Sequence, residues 1–123
     1  MRHPEHELQV AVVAFLDVAL PQSIAFTCSL AGVKLTKSQA ARAKAAGSRR
    51  GWPDLQFLFP DCITRYIELK AEGGRLTPEQ KAFQARCAGH NISAVCRSVR
   101  DVEEKLIDWC APLGLRLKAT VQA

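Results

Sequence analysis

Three residues in two short stretches have the types and spacing needed to hydrolyse a phosphate ester. Pro53-Asp54 is followed, after thirteen residues, by Glu68-Leu69-Lys70. Asp54 heads one apolar run, and Glu68 and Lys70 share a face of the next, because side chains alternate along a strand. If the two runs pair as a hairpin, two carboxylates and an ammonium converge on one point. Convergent carboxylates repel, so such a cluster is stabilised by a bound cation or by a shared proton. Oxygen donors favour Mg²⁺ or Mn²⁺ over zinc. A divalent ion lowers the pKa of a bound water and neutralises phosphate oxygens, as phosphodiester hydrolysis requires. Lys70 can orient that water or stabilise the developing charge. Each half alone is commonplace: Glu-x-Lys on an exposed strand is usually a solvated pair, and Pro-Asp is usually a turn. Their combination, framed by Gly51 and by Gly73-Gly74, is much rarer.

The elements that would position these residues can be read along the chain. Leu8, Val12, Phe15, Leu16 and Ala19 recur at helical spacing between Glu5 and Leu20, with Pro4 at the start and Pro21 after the end. Ser23 to Leu30 reads as a strand that Gly32 closes, Leu55 to Phe59 as a second and Arg65 to Lys70 as a third. In the third, Ile67 and Leu69 face one way and Tyr66, Glu68 and Lys70 the other. Thr77-Pro78-Glu79-Gln80 has the form of a capping box opening a helix to about Ala88. Ser93 to Arg97 is expected as a fourth strand, Ser98 to cap a helix to about Trp109, and Leu115 to Val121 to form an edge strand. The order implies an α/β fold, a small mixed β-sheet flanked by helices, in a single domain over residues 1–123.

Composition sets the partners. The chain of 123 residues carries 17 Lys+Arg against 12 Asp+Glu, a net charge of +5. Lys34, Lys37, Arg42, Lys44, Arg49 and Arg50 cluster in one stretch, and no acid occurs between Asp17 and Asp54. Clustered cations without acids displace counterions from nucleic acid, so this stretch reads either as a phosphate-contacting arm or as a solvated surface loop with a charge bias. The alanines around Arg42 suggest a short helix within it. The longest apolar run, Val10 to Leu16, is too short to span a bilayer, and Glu5 and Glu7 sit where a signal peptide would be basic. Five cysteines with no Cys-x-x-Cys knuckle are read as reduced, mostly core residues of a cytoplasmic protein. No phosphate loop or dinucleotide fingerprint is present, so no small-molecule cofactor is expected.

GWPDLQF, followed by YIELKAEGGRLTPEQKAF, resembles the virus-type replication-repair nuclease (VRR-NUC) family of the PD-(D/E)xK superfamily. The resemblance reaches upstream to EHELQ and covers roughly residues 5–97. It implies a restriction-endonuclease-like PD-(D/E)xK core and a metal-dependent DNA nuclease. Stand-alone phage and bacterial members are similar to Holliday-junction resolvases and work as homodimers. By resemblance, Asp54 and Glu68 bind the metal, Leu69 lends a backbone carbonyl, and Lys70 assists the nucleophilic water. A glutamate of the first helix completes the site, and Gln80 lies beside it. At ~100° per residue, Glu5 continues the Leu8–Val12 face of that helix, while Glu7 projects roughly 160° away. Glu5 is therefore chosen, with Glu7 as the fallback.

Other residues were weighed in the same way. His3 and His6 are one helical turn apart but stand near a terminus, and His90 reads as a surface turn residue. Trp52 either stacks on a base or packs under its loop; Trp109 is either core or part of a subunit interface. Arg97 and Arg100 either contact phosphates or open a polar helix. The expected function is a Mg²⁺- or Mn²⁺-dependent endonuclease on branched DNA, a four-way junction first, acting as a homodimer in a bacterial or phage-infected cell. The alternatives are a nicking, flap or restriction-like nuclease on the same fold, or a non-catalytic DNA-binding subunit.

Overall fold

A computed structural model describes residues 3–29 and 34–121. Helix α1 (Pro4–Ala19) leads to strand β1 (Ala25–Cys28), and helix α2 (Lys37–Ala45) follows. The hairpin of β2 (Leu55–Leu58) and β3 (Thr64–Leu69) comes next, then α3 (Pro78–Cys87), β4 (Ser93–Cys96) and α4 (Val99–Cys110). A 3₁₀ turn, Ala111–Leu113, ends the helical part. Leu30 and Gly32, expected to close the first strand, lie outside the described residues.

The sheet is ordered β1-β2-β3-β4, with the first two pairings antiparallel and β3–β4 parallel. The parallel step requires a crossover, which α3 supplies. One face buries Leu55, Phe57, Ile67 and Leu69 against Val12 and Leu16 of α1 and Val102, Leu106 and Trp109 of α4. Tyr66, on the opposite face of β3, meets Phe83 of α3 edge-on at 5.0 Å. Hence α1 and α4 form one layer and α3 lies against the other side, a mixed sheet between helices as the periodicities imply.

Local chemistry explains the helix starts. Thr77 and Gln80 exchange hydrogen bonds of 2.8 and 3.2 Å in the expected capping box. The Ser98 hydroxyl accepts from the Asp101 N–H at 3.0 Å. Thr36 and Gln39 form a second capping box. In α2 that box does unusual duty, because the helix buries no residue and packing contributes little to it.

One expectation needs correcting, and two others become specific. Leu115 to Val121 does not join the sheet. After Gly114 the segment runs across the helical layer, giving its Lys118 N–H to the Ala19 carbonyl at 2.7 Å and its Val121 N–H to Glu103 Oε2 at 2.7 Å. Leu115 and Leu117 do alternate inward, but onto the helices rather than beside a strand. Trp109 is core, not interface: it is 2% exposed and its indole N–H donates to the Asn91 carbonyl. Of the five cysteines, all free, Cys87, Cys96 and Cys110 are buried, as a mostly core set implies, while Cys62 is exposed and Cys28 half-buried.

Candidate active site

The hairpin carries the centre of the site. Asp54 stands just before β2, with Glu68 near the end of β3 and Lys70 just past it; their exposures are 8%, 2% and 7%. Asp54 Oδ2 accepts the backbone N–H of Leu69 at 2.7 Å, which fixes the first carboxylate to the second strand. The N–H and C=O of one strand residue point to the same edge, so the Leu69 carbonyl faces the Asp54 side. Burial pushes the Glu68 carboxyl up to about 9, aided by a hydrogen bond to Asp54 and by its charge, with Lys70 opposing. A carboxyl pair out of water in hydrogen-bond contact shares a proton, because neither desolvation nor like charge tolerates two anions.

The first helix supplies the third acid. Glu5 Oε1 lies 3.5 Å from Lys70 Nζ, and its charge also reaches Glu68. Glu7 is exposed on another face of α1. Gln9, one turn after Glu5, hydrogen-bonds the Cys28 thiol, which is near enough to Asp54 to be raised by its charge as well as by burial. Among the described residues no three His, Cys, Asp or Glu side chains are gathered closely enough to hold an ion as they stand. His3 and His6 are exposed and form no such group.

Glycines shape the surrounding loops. At Gly51, φ is +81°, and a Cβ there would lie 2.5 to 2.7 Å from Glu79 backbone and side-chain atoms. The loop carrying Pro53-Asp54 is thereby seated directly on the first turn of α3. A Cβ on Gly74 would meet Ala71 O at 3.1 Å and Glu5 Oε1 at 3.3 Å. The turn at 71–74 therefore crowds the Glu5–Lys70 contact. Arg97 holds that turn, its Nη1 donating to the carbonyls of Ala71 at 2.9 Å and Gly74 at 2.8 Å. Neither the Cys28 placement nor this strut is legible in the sequence, because both arise from contacts between distant segments.

The remaining candidates make other contacts or stand exposed. Gln80 spends its side-chain oxygen on the Thr77 N–H, at the start of α3. Lys34, Lys37, Arg42, Lys44, Arg49 and Arg50 are all exposed, on α2 and its flanks. Arg49 folds back onto the Lys44 and Ser48 carbonyls. His90 is an exposed residue of the turn after α3, and Arg100 is exposed in the first turn of α4.

Chemically, the arrangement offers two hard-oxygen side chains that repel, a carbonyl at the same edge, and a buried ammonium beside them. These donors fit a small divalent cation, which would displace the shared proton and relieve the repulsion. They do not suit a softer metal.

The VRR-NUC domain family model matches residues 2–101. A solved structure described as a VRR_NUC domain matches with a TM-score of 0.53 at 18% identity, covering 85% of this chain and 96% of that one; at this identity it speaks for the fold alone. A comparison with curated proteins returned no match. The chain belongs to the VRR-NUC family, and so to the nucleases of PD-(D/E)xK type, which act on DNA and generally use divalent metals.

Proposed function

We propose that this VRR-NUC domain is a Mg²⁺- or Mn²⁺-dependent endonuclease that cuts branched DNA, four-way junctions first, and works as a homodimer. The observation that carries the reading is the buried Asp54–Glu68 carboxyl pair in hydrogen-bond contact, with the Lys70 ammonium next to it. When bound, a divalent cation supplies charge against the phosphate oxygens and acidifies a water. Asp54 and Glu68 are the residues that would hold it, with the Leu69 carbonyl. Lys70 donates to the attacking water or to the oxygen on which charge develops, a role suited to an ammonium removed from bulk solvent. Glu5 orients that ammonium from α1. The six exposed cations of residues 34–50 supply sequence-independent attraction to the phosphate backbone.

Each copy carries one site, and resolving a junction takes two matched cuts, which a two-fold pair delivers symmetrically. Free thiols at all five cysteines suit a reducing compartment, so we place the enzyme in the cytoplasm.

The test is cleavage of an end-labelled four-way junction and its matched linear duplex in Mg²⁺ or Mn²⁺, with Lys70→Ala as control. Cutting of the junction alone, lost in the variant, supports the proposal. Equal cutting of both keeps the nuclease and removes the junction preference. Binding without cutting of either would move the protein to a non-catalytic DNA-binding role.

A further inference from the structure

Trp52 does not fit the account so far. Its neighbours Pro53 and Asp54 are buried, yet it is 39% exposed. It is not loosely exposed: the indole N–H donates to Gln56 Oε1 at 3.1 Å. The ring also meets Phe83 at 5.0 Å and Tyr66 at 6.0 Å, both edge-on. Gly51, pressed against Glu79, fixes the backbone just before it. Part of a large apolar ring is thus held at the protein surface between two ring contacts, with its polar atom already satisfied. What remains open to a partner is the ring itself.

We propose that Trp52 is a stacking platform for a base that comes unpaired at the branch point, beside the scissile phosphate, so that the substrate presents an open nucleotide at the cut. This rests on the nuclease reading and adds the residue that selects among DNA structures. Trp52 precedes Asp54 by two residues, a separation of about 7 Å at most along the chain. A base stacked on it would leave its own phosphate within reach of the carboxyl pair. Arg50, exposed two residues earlier, supplies charge for the adjoining backbone. Bases stack on aromatic side chains without regard to sequence, but a paired base in a duplex keeps its faces against its neighbours. The platform therefore separates open from fully paired DNA.

The chain has two tryptophans, and the other, Trp109, is 2% exposed. Collisional quenching by acrylamide therefore reports on Trp52. In metal-free buffer, oligothymidylate should quench the emission of the unmodified protein and shield it from acrylamide, while the emission of Trp52→Phe should not respond. By anisotropy of labelled DNA, Trp52→Ala should weaken single-strand binding roughly tenfold and leave blunt-duplex binding unchanged. Trp52→Phe retains a ring against Tyr66 and Phe83, and the shielding measurement needs no variant at all. Emission unmoved by bound oligothymidylate, the same quench in Trp52→Phe, or equal losses on both DNAs would overturn the proposal. Metal-dependent cutting of duplex by the same preparation would still sustain the nuclease assignment.

Discussion

The β2–β3 hairpin ends in two charged clusters of opposite design. At its tip, Arg65 makes a double contact with Asp61, at 2.8 and 3.1 Å, and lies 4.2 Å over the Phe59 ring. The guanidinium holds the Asp61 carboxyl below the usual carboxylate range. At its open end, Asp54 and Glu68 are like groups, and Glu68 is pushed up instead. The same two strands thus carry one pair of opposite charge and one of like charge. An opposite pair is a fastening. A like pair out of water holds together by sharing a proton beside the Lys70 ammonium, an arrangement that a bound cation would replace.

Substitutions should separate the two ends by what they damage. Lys70→Ala should lower metal-dependent cleavage by about 10²–10³-fold with a cooperative melt retained, the range for removing one donor to developing charge. A variant within threefold of the parent rate would remove Lys70 from the chemistry. Gly51→Ala tests how the open end is seated. Its Cβ would press on Glu79 at a positive φ, and chemical denaturation should register a loss of about 2–4 kcal/mol. At the tip, Arg65→Met should cost about 1–3 kcal/mol in the same assay while cleavage stays unchanged. A fall in cleavage without loss of stability there would erase the contrast.

Glu68→Gln has the opposite sign. The folded protein holds a proton on the Glu68 carboxyl up to about 9, against an ordinary value of 4.5. Stability from this group is therefore complete below the ordinary value and is lost progressively as the pH rises toward about 9. Glutamine stays neutral throughout, so metal-free Glu68→Gln should melt clearly above the parent at pH 8 and level with it near pH 4. Parallel pH profiles for the two proteins would assign the slope to other groups.

The sequence made the hairpin end legible because its determinants are local. Asp54 and Leu69 lie 15 positions apart and are joined by a tight turn, and strand alternation alone puts Glu68 and Lys70 beside Asp54. Helix periodicity likewise chose Glu5 over Glu7 to face inward, and the structure sets Glu5 against Lys70. What was missed depends on tertiary contact. Arg97 read as a phosphate ligand or a polar helix start, yet it braces the 71–74 turn from the neighbouring strand. Cys28 read as core because a cysteine carries no positional signal, and only sheet order brings it near Asp54. Leu115 and Leu117 have the alternation of a strand, and nothing local says that the surface they cover is helical.

The segment across the helical layer has a consequence in time. Glu5 reaches Lys70 across more than half of the chain, and α1, which carries it, is fastened at its other end by the bond from Lys118 to Ala19. Loops of that span close late, after the local hairpin and its acids have formed. During synthesis the bond to Ala19 cannot form until Lys118 has left the ribosome. The Asp54–Glu68 pair thus depends on the short loop of one hairpin, and the Glu5 contact on a loop that spans half of the chain.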